Sequence, residues 1–377
     1  MERMAVSVIG AGGMAGRHLR RLLELEKFEV KAVAEINDVR QDCRDGVALA
    51  ASAGVKTFVD YREMLDAVPV EAVFIGTPHF LHQPMAEDAM ARGLHVFCEK
   101  PPAPTVESCK KMLRARDRYG KALAIGFQHV GHTNAQWLKR FIAEGRLGAI
   151  REVVALLPNY RDNHYYERSP WVGKKKVDGH WCLDGVLSNQ MVHFINQSMF
   201  FASTRPAPHV ARPAPGSTVS ALYHAHETPA LEMDDIGMFR CRLEGSVNFY
   251  CIATTAVEGG GNITIELIGD KGRALYDDRV TVWLHGDEPF VHNEPDEPDY
   301  LYENFFQVVR AGATPLSPLD EAVKSVAVLE SVFQAADYQV KKIRWDERGN
   351  LRELLYRGAL YRSLFRDLPD APAWSQA

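Results

Sequence analysis

Three groups of residues have types and spacings suited to chemistry. The first lies in Val6 to Gly16, VSVIGAGGMAG, where an apolar strand runs into Gly10-x-Gly12-x-x-Ala15. Gly10 permits a tight turn, Gly12 lets the main chain approach a pyrophosphate with no Cβ in the way, and small Ala15 lets the next helix lie close to the strand. The helix that follows offers free N–H groups and positive dipole to phosphates. Glu35 ends the following strand, Val30 to Ala34, and is placed to accept hydrogen bonds from ribose hydroxyls. Neither Ile36 nor Asn37 supplies a cation for a 2′-phosphate, so the expected cofactor is NAD rather than NADP. An ordinary structural turn is the competing reading of the glycines.

The second group is Glu99-Lys100-Pro101, which follows the apolar run Leu94 to Cys98. Open α/β sheets place ligand contacts at the C-terminal ends of their strands. An ammonium there stabilises negative charge developing on a substrate oxygen; a lysine on a surface loop is the alternative. Pro101 fixes its own φ and so holds the turn. The third is His193, whose imidazole, ordinarily titrating at about 6.5, can exchange a proton at neutral pH. Its alternative is a core histidine satisfied by Asp184 or Asn189. Gln128, His129 and His132 follow the last strand of the first half and should lie near the cleft. Tyr165 and Trp181, with Tyr166, Trp171 and His180, offer rings that could stack on sugar C–H faces or simply fill an interface. His180, Cys182 and His193 fit no familiar metal-ligand spacing, so no metal is expected.

The elements that must position these residues alternate strand and helix through the first third, the pattern of a doubly wound parallel sheet. After Val6 to Ile9, a helix from His18 to Leu25 and the strand ending at Glu35, Asn37 is expected to cap a helix reaching Ala53. Strands are then expected at Lys56 to Val59, Ala72 to Ile75, Leu94 to Cys98 and Ala122 to Phe127. Helices at Tyr61 to Ala67, Pro84 to Arg92 and Thr105 to Tyr119 lie between them. From Gln128 the pattern changes. A helix (Asn134 to Glu144) and a strand (Glu152 to Leu157) lead into a long aromatic loop, Asn159 to Asp184, and then a helix from Leu187 to Phe201 carrying Asn189 and His193. Successive short strands from Val219 to Leu284 read as an antiparallel sheet open on one face, followed by two helices and a charged helical tail to Phe365. The fold class is therefore α/β: an N-terminal Rossmann sheet over residues 1–127, then an α+β substrate-binding and oligomerisation domain over 128–377 with a large, predominantly antiparallel sheet.

Composition narrows the function. Of 377 residues, 46% are apolar and 25% charged, ordinary for a globular protein, and a net charge of −5 gives no electrostatic case for nucleic acid or an anionic membrane. Six scattered cysteines without C-x-x-C spacing read as reduced thiols, and a first strand starting almost at Met1 leaves no room for a signal peptide. A cytoplasmic location is the expectation.

Taken together, the chain resembles the glucose–fructose oxidoreductase / inositol dehydrogenase (Gfo/Idh/MocA) family. The marks are the glycine turn, Gly76-Thr77-Pro78 followed by His82, Cys98-Glu99-Lys100-Pro101, Glu144-Gly145-Arg146-Leu147-Gly148 and the Ile268-Gly269-Asp270-Lys271-Gly272 turn. The resemblance implies a nicotinamide cofactor contacted by Gly10, Gly12, Gly13, Met14, Ala15, Glu35, Thr77, Pro78, His82, Glu99, Lys100 and Gln128. It implies hydride transfer at a hydroxyl-bearing carbon of a sugar, cyclitol or related polyol. Lys100, Asn189 and His193 then form the catalytic group, with Tyr165 and Trp181 as further substrate contacts. It also implies a homodimer or homotetramer built through the outer face of the large sheet.

One departure stands out. The family's usual aspartate four residues before the histidine is Asn189 here, which removes the group that would hold charge beside His193. Two other functions stay open on these residues: a glycoside-cleaving enzyme that uses held NAD transiently, and a dinucleotide-binding regulator without turnover.

Overall fold

The computed structural model describes residues 2–36, 40–226, 228, 230–257 and 259–342. Its first part runs β1 (Met4–Ile9), α1 (Gly13–Glu24), β2 (Phe28–Ala34), α2 (Gln41–Ser52), β3 (Lys56–Phe58), α3 (Tyr61–Ala67), β4 (Ala72–Ile75), α4 (His82–Ala91), β5 (His95–Cys98), α5 (Val106–Tyr119) and β6 (Leu123–Ile125). The six strands form one parallel sheet in the order β3-β2-β1-β4-β5-β6. Strands covered on both faces need unbroken apolar runs, and all four residues of β4 are buried. The order reverses between β1 and β4, the crevice where such sheets bind ligands. Here the backbones crowd: a Cβ on Gly76 would sit 2.7 Å from the Cβ of Ala15, and one on Gly10 3.0 Å from it.

The second part contains α6 (Thr133–Ala143), β7 (Ile150–Pro158), α7 (Asn163–Glu167), β8 (Lys176–Val177), β9 (His180–Trp181), α8 (Val192–Ala202), β10 (Val219–His224), β11 (Ile236–Leu243), β12 (Val247–Thr254), β13 (Thr264–Gly269), β14 (Gly272–Tyr276), β15 (Val280–Leu284), β16 (Phe290–His292), α9 (Tyr300–Ala311), α10 (Leu319–Ala335) and β17 (Lys341–Lys342). Nine of its strands form a sheet ordered β16-β15-β14-β13-β7-β12-β11-β10-β17. Every pairing is antiparallel except β7 with β12 and β10 with β17. Alternation sorts the faces. Val153, Ala155 and Leu157 of β7 join the main core, whereas Val154 and Leu156 join Met238, Tyr250 and Ile252 in a separate apolar cluster on the other face.

Three features position the cleft. The long segment after β7 is not structureless, since it contains α7 and the β8–β9 hairpin. The helix expected from Leu187 to Phe201 is broken. Val186–Gln190 forms one π-helical turn, closed by the Met191 N–H on the Val186 carbonyl, and α8 begins only at Val192. The cause is Asp234, whose main-chain oxygen accepts from Val186 N–H (2.8 Å) and whose carboxylate accepts from Leu187 N–H (3.2 Å). Asn189 and His193 therefore do not share one face of a continuous helix. The far end of α8 is fixed by buried Lys139, whose ammonium donates to the carbonyls of Phe200, Ser203 (2.8 Å) and His209 (3.1 Å).

The halves share one interior. Phe305 and Phe306 of α9 pack with Phe28, Phe74 and Phe97 on one face of the first sheet. Among the described residues no helix is long and apolar enough to cross a membrane. The Asn37 cap and the helical tail to Phe365 lie outside the described residues, and α2 starts at Gln41.

Candidate active site

The glycine turn is built as an anion receptor. Ala11 N–H donates to Glu35 Oε2 at 2.6 Å and Gly13 N–H to Asp42 Oδ2 at 2.8 Å, so both main-chain donors face carboxylate oxygens. Gly12 is the N-cap of α1 with no side-chain cap, and a Cβ there would lie 2.5 Å from Cys43 Sγ and 2.8 Å from Arg40 Nη2. Main-chain donors at a helix start that already attract carboxylate oxygens, with no room for a Cβ on Gly12, fit a dinucleotide's pyrophosphate.

Along the same crevice, β5 delivers Glu99 and Lys100, joined to Pro101 by a cis bond. Glu99 is buried and held from two sides. His18 Nε2 bonds its Oε1 at 2.8 Å while His18 Nδ1 meets the Tyr302 hydroxyl at 2.9 Å, and Lys100 N–H donates to Oε2 at 3.1 Å. Burial favours the neutral acid, but the His18 hydrogen bond, the charges of His18 and Lys100 and the amide outweigh it and hold the carboxyl below its usual range. The Lys100 ammonium leaves this turn and donates to the main-chain oxygen of Asn189 at 2.8 Å, with Asn189 Oδ1 at 3.5 Å. Burial depresses its pKa, opposed by the charges of Glu99 and Asp184 and reinforced by that of Arg168.

Asn189 in turn donates from Nδ2 to Asp184 Oδ1 at 2.5 Å, and Gly173 N–H donates to Asp184 Oδ2 at 2.8 Å. Burial raises the Asp184 carboxyl to about 6, even against these hydrogen bonds and the charges of Arg168 and Lys100. A carboxylate thus stands beside Lys100 after all, five residues before the position where the sequence lacks one. The signal was present: Asp184 opens the stretch that carries Asn189 and His193.

His193, in the first turn of α8, packs against Phe127 (ring centroids 5.8 Å apart) and His129 (4.6 Å), and His129 stacks on His132 (4.9 Å). Among the described residues its Nδ1 is buried with no partner, and neither Asp184 nor Asn189 bonds the ring. Burial, and then the charges of Lys100, His129 and His132, push its pKa well below the ordinary histidine value, keeping the ring neutral. His129 is lowered to about 4, first by burial.

Other expected residues are placed with mixed results. Gln128 lies beyond β6 with its Oε1 buried and unpartnered, while its carbonyl accepts from the Tyr300 hydroxyl at 3.0 Å. Thr77 and Pro78 close β4 at the crevice, the Thr77 hydroxyl reaching Met85 Sδ at 3.3 Å. His82 is spent on the scaffold: its ring nitrogens meet the carbonyls of Pro101 (3.0 Å) and Thr77 (2.9 Å), tying the two turns together. Tyr165 reaches the cleft, its hydroxyl accepting from Gln190 Nε2 at 2.9 Å. Trp181 does not join it. Its ring contacts are Tyr338 (5.1 Å) and the Lys176 ammonium (4.3 Å) rather than Lys100, Asn189 or His193. Sequence reasoning missed Asp184, His18 and Gln190. It also missed His79, whose Nε2 meets the Cys182 carbonyl at 2.5 Å.

Known proteins resemble this chain in sequence and in fold. The model of the GFO_IDH_MocA oxidoreductase family, NAD-binding Rossmann fold, matches residues 4–127, and the GFO/IDH/MocA C-terminal domain matches residues 135–275. The chain is similar to inositol 2-dehydrogenase of Arthrobacter sp. (strain FB24), with 33% identity over 151 residues, 40% of this chain and 44% of that enzyme. It is also similar to inositol 2-dehydrogenase of Burkholderia multivorans (strain ATCC 17616 / 249), with 26% identity over 285 residues, 74% of this chain and 76% of that enzyme. The first of these matches spans less than half of its relative's length. In fold it is similar to the WlbA dehydrogenase from Bordetella pertussis, solved in complex with NADH and UDP-GlcNAcA: TM-score 0.74 and 22% identity, covering 89% of this chain and 97% of that one. Because family models match both its nucleotide-binding half and its second half, this chain belongs to the Gfo/Idh/MocA family and is an NAD-binding oxidoreductase.

Proposed function

We propose that this enzyme moves a hydride between NAD and a hydroxyl-bearing carbon of a sugar, cyclitol or related polyol. The observation that carries this reading is the Lys100 ammonium, fixed at the crevice end of β5 by the Asn189 carbonyl with the buried Asp184 carboxyl one hydrogen bond further on. The Gly10–Ala15 turn with Gly13 and Met14 would hold the pyrophosphate, and Glu35 the adenosine ribose. Thr77, Pro78, Glu99, Lys100 and Gln128 would flank the remaining half of the cofactor. NAD, when bound, supplies the hydride acceptor or donor.

The protein's own groups handle the oxygen and its proton. Lys100 donates to the reacting oxygen and stabilises its alkoxide character as the C–H bond weakens, the kind of preorganised stabilisation that contributes most in a water-poor site. His193, neutral and with a free buried nitrogen, receives the hydroxyl proton. Asn189 positions Lys100 and passes the influence of Asp184 to it, so the carboxyl at 184 replaces the acid absent at 189. That replacement favours a working enzyme over a regulator without turnover.

The same reading extends to self-association as a homodimer or homotetramer through the outward face of the nine-stranded sheet, where Leu156, Met238 and Ile252 form an apolar cluster. It also extends to a cytoplasmic location, where the six buried cysteines stay reduced. The test is a screen of NAD reduction over sugars, cyclitols and sugar acids, with mass analysis of any co-purifying cofactor and sedimentation velocity for the oligomer. NADH accumulating on a free polyol supports the reading. Aryl-glycoside cleavage without added NAD points to the glycosidase, and cofactor binding without turnover points to the regulator.

A further inference from the structure

Two arginines near the cleft, Arg161 and Arg168, form no ion pair among the described residues. Arg161 and Arg168 set their guanidinium carbons 5.2 Å and 4.0 Å from the centroid of the Tyr165 ring. The Tyr165 hydroxyl accepts from Arg168 Nη2 at 3.1 Å and from Gln190 Nε2 at 2.9 Å. Gln190 directly follows Asn189, whose carbonyl holds Lys100, so a line of polar contacts runs from the Lys100 ammonium to the arginine pair. Arg168 is also close enough for its charge to act on both Lys100 and Asp184.

The neighbouring acids are committed elsewhere. Asp162 caps α7 by accepting from Tyr165 N–H at 2.9 Å, and Glu167 accepts from the Thr228 hydroxyl at 2.9 Å. Among the described residues neither Arg161 nor Arg168 makes an ion pair, whereas Arg21, Arg92, Arg116, Arg151 and Arg310 each pair with an aspartate or glutamate. Arg161 donates from Nη1 to the Tyr160 carbonyl at 3.1 Å, but among the described residues its Nε is buried with no partner, and so is Gln190 Oε1. A guanidinium nitrogen left unpaired in a buried position is costly unless something arrives to accept its hydrogen. Arg168 lies at the surface end of this line, exposed to incoming ligands.

We propose that the substrate carries an oxyanion, a carboxylate or a phosphate, and that Arg168 and Arg161 receive it on the Tyr165 ring while Lys100 engages the reacting hydroxyl. Planar guanidinium groups match either oxyanion through paired N–H donors, which a neutral sugar cannot use as well. This narrows the polyol class to sugar acids or sugar phosphates, and it rests on the hydride-transfer reading given above.

The test compares D-glucose with D-glucuronate and D-glucose 6-phosphate, and D-galactose with its uronate and 6-phosphate. Initial rates are measured with saturating NAD, and calorimetry follows binding of the same six compounds to the enzyme–NADH complex. An anionic member should exceed its neutral parent in kcat/KM. Arg168→Ala and Arg161→Ala should each lower that value roughly 10- to 100-fold, chiefly through KM, with a smaller loss on the neutral parent and partial recovery in Arg168→Lys. Preference for the uronate identifies a sugar acid, and preference for the 6-phosphate a sugar phosphate. The inference is overturned if neutral sugars are preferred, if the alanine variants weaken neutral and anionic sugars alike, or if no anion binds the NADH complex better than its parent. Arginine-dependent anion binding with no NAD reduction would keep this site and remove the hydride-transfer reading. NAD reduction confined to neutral sugars would do the reverse.

Discussion

The Lys100 ammonium lies closer to the main chain of Asn189 than to its side chain, 2.8 Å from the carbonyl oxygen and 3.5 Å from Oδ1. A change of side chain at 189 therefore leaves the lysine's nearer anchor in place. Asn189→Ala deletes the bond to Asp184, a loss of about 1 kcal/mol, and should raise KM several-fold with kcat largely kept. Lys100→Met keeps most of the aliphatic stem but removes the charge, and should lower kcat roughly 100- to 1,000-fold with NAD affinity little changed. Steady-state kinetics on the best substrate separates the two. Near-native turnover in Lys100→Met would remove this lysine from the chemistry.

His193→Ala should lose roughly 100- to 10,000-fold in kcat, the usual value of a positioned proton acceptor. His193→Phe, which preserves ring packing against Phe127 and His129, should lose as much. If the phenylalanine variant alone keeps its activity, packing is the histidine's contribution and Lys100 carries the proton.

Burial lifts Asp184 to about 6, above the value of about 3.9 for an unfolded aspartate. Between those values the folded chain holds more protons than the unfolded one, so this residue's contribution to stability is lost as pH rises from about 4 to about 6. Asp184→Asn removes the titrating group. Its melting temperature should vary less over that range than the parent's, and the acid limb of its kcat/KM profile should flatten. Thermal melts across the window check the first expectation, and identical slopes in the two proteins would contradict it.

Glu35 accepts from the Ala11 N–H at 2.6 Å, which holds its carboxylate at the mouth of the glycine turn. NADH should bind more tightly than NADPH, because a 2′-phosphate would face this charge. Glu35→Ser should weaken NADH binding roughly 10- to 100-fold while narrowing the difference between the two cofactors. Fluorescence titration of both nucleotides is the measurement, and tighter NADPH binding by the native protein would refute the assignment.

The first sheet was legible because its signals are local. Ala72–Ile75 and His95–Cys98 are short apolar-rich runs closed by Gly76 and by Glu99-Lys100, and these two strands fall within a residue of expectation. The Thr105 cap and Gly120 stop of α5 are local as well. The break before α8 was not legible, since it depends on Asp234, more than 40 residues further on, capturing the N–H of Leu187. The same break turns Asn189 toward Asp184 and away from a shared face with His193. Helical spacing alone gave the opposite expectation. The stacking of Trp181 on Tyr338 was not legible for a similar reason, because Tyr338 lies more than 150 residues further along the chain.

Phe305 and Phe306 close one face of the nucleotide-binding sheet from about 180 residues beyond its last strand, so sequence order and folding order part company here. On a ribosome adding about 5–20 residues per second, the sheet's strands emerge roughly 10–40 s before the helix that covers them. Throughout that interval Phe28, Phe74 and Phe97 lack their partners on α9 and present an aromatic surface to chaperones or to neighbouring nascent chains. The cofactor half, although made first, cannot mature first, and nascent chains released before α9 is made leave that surface uncovered.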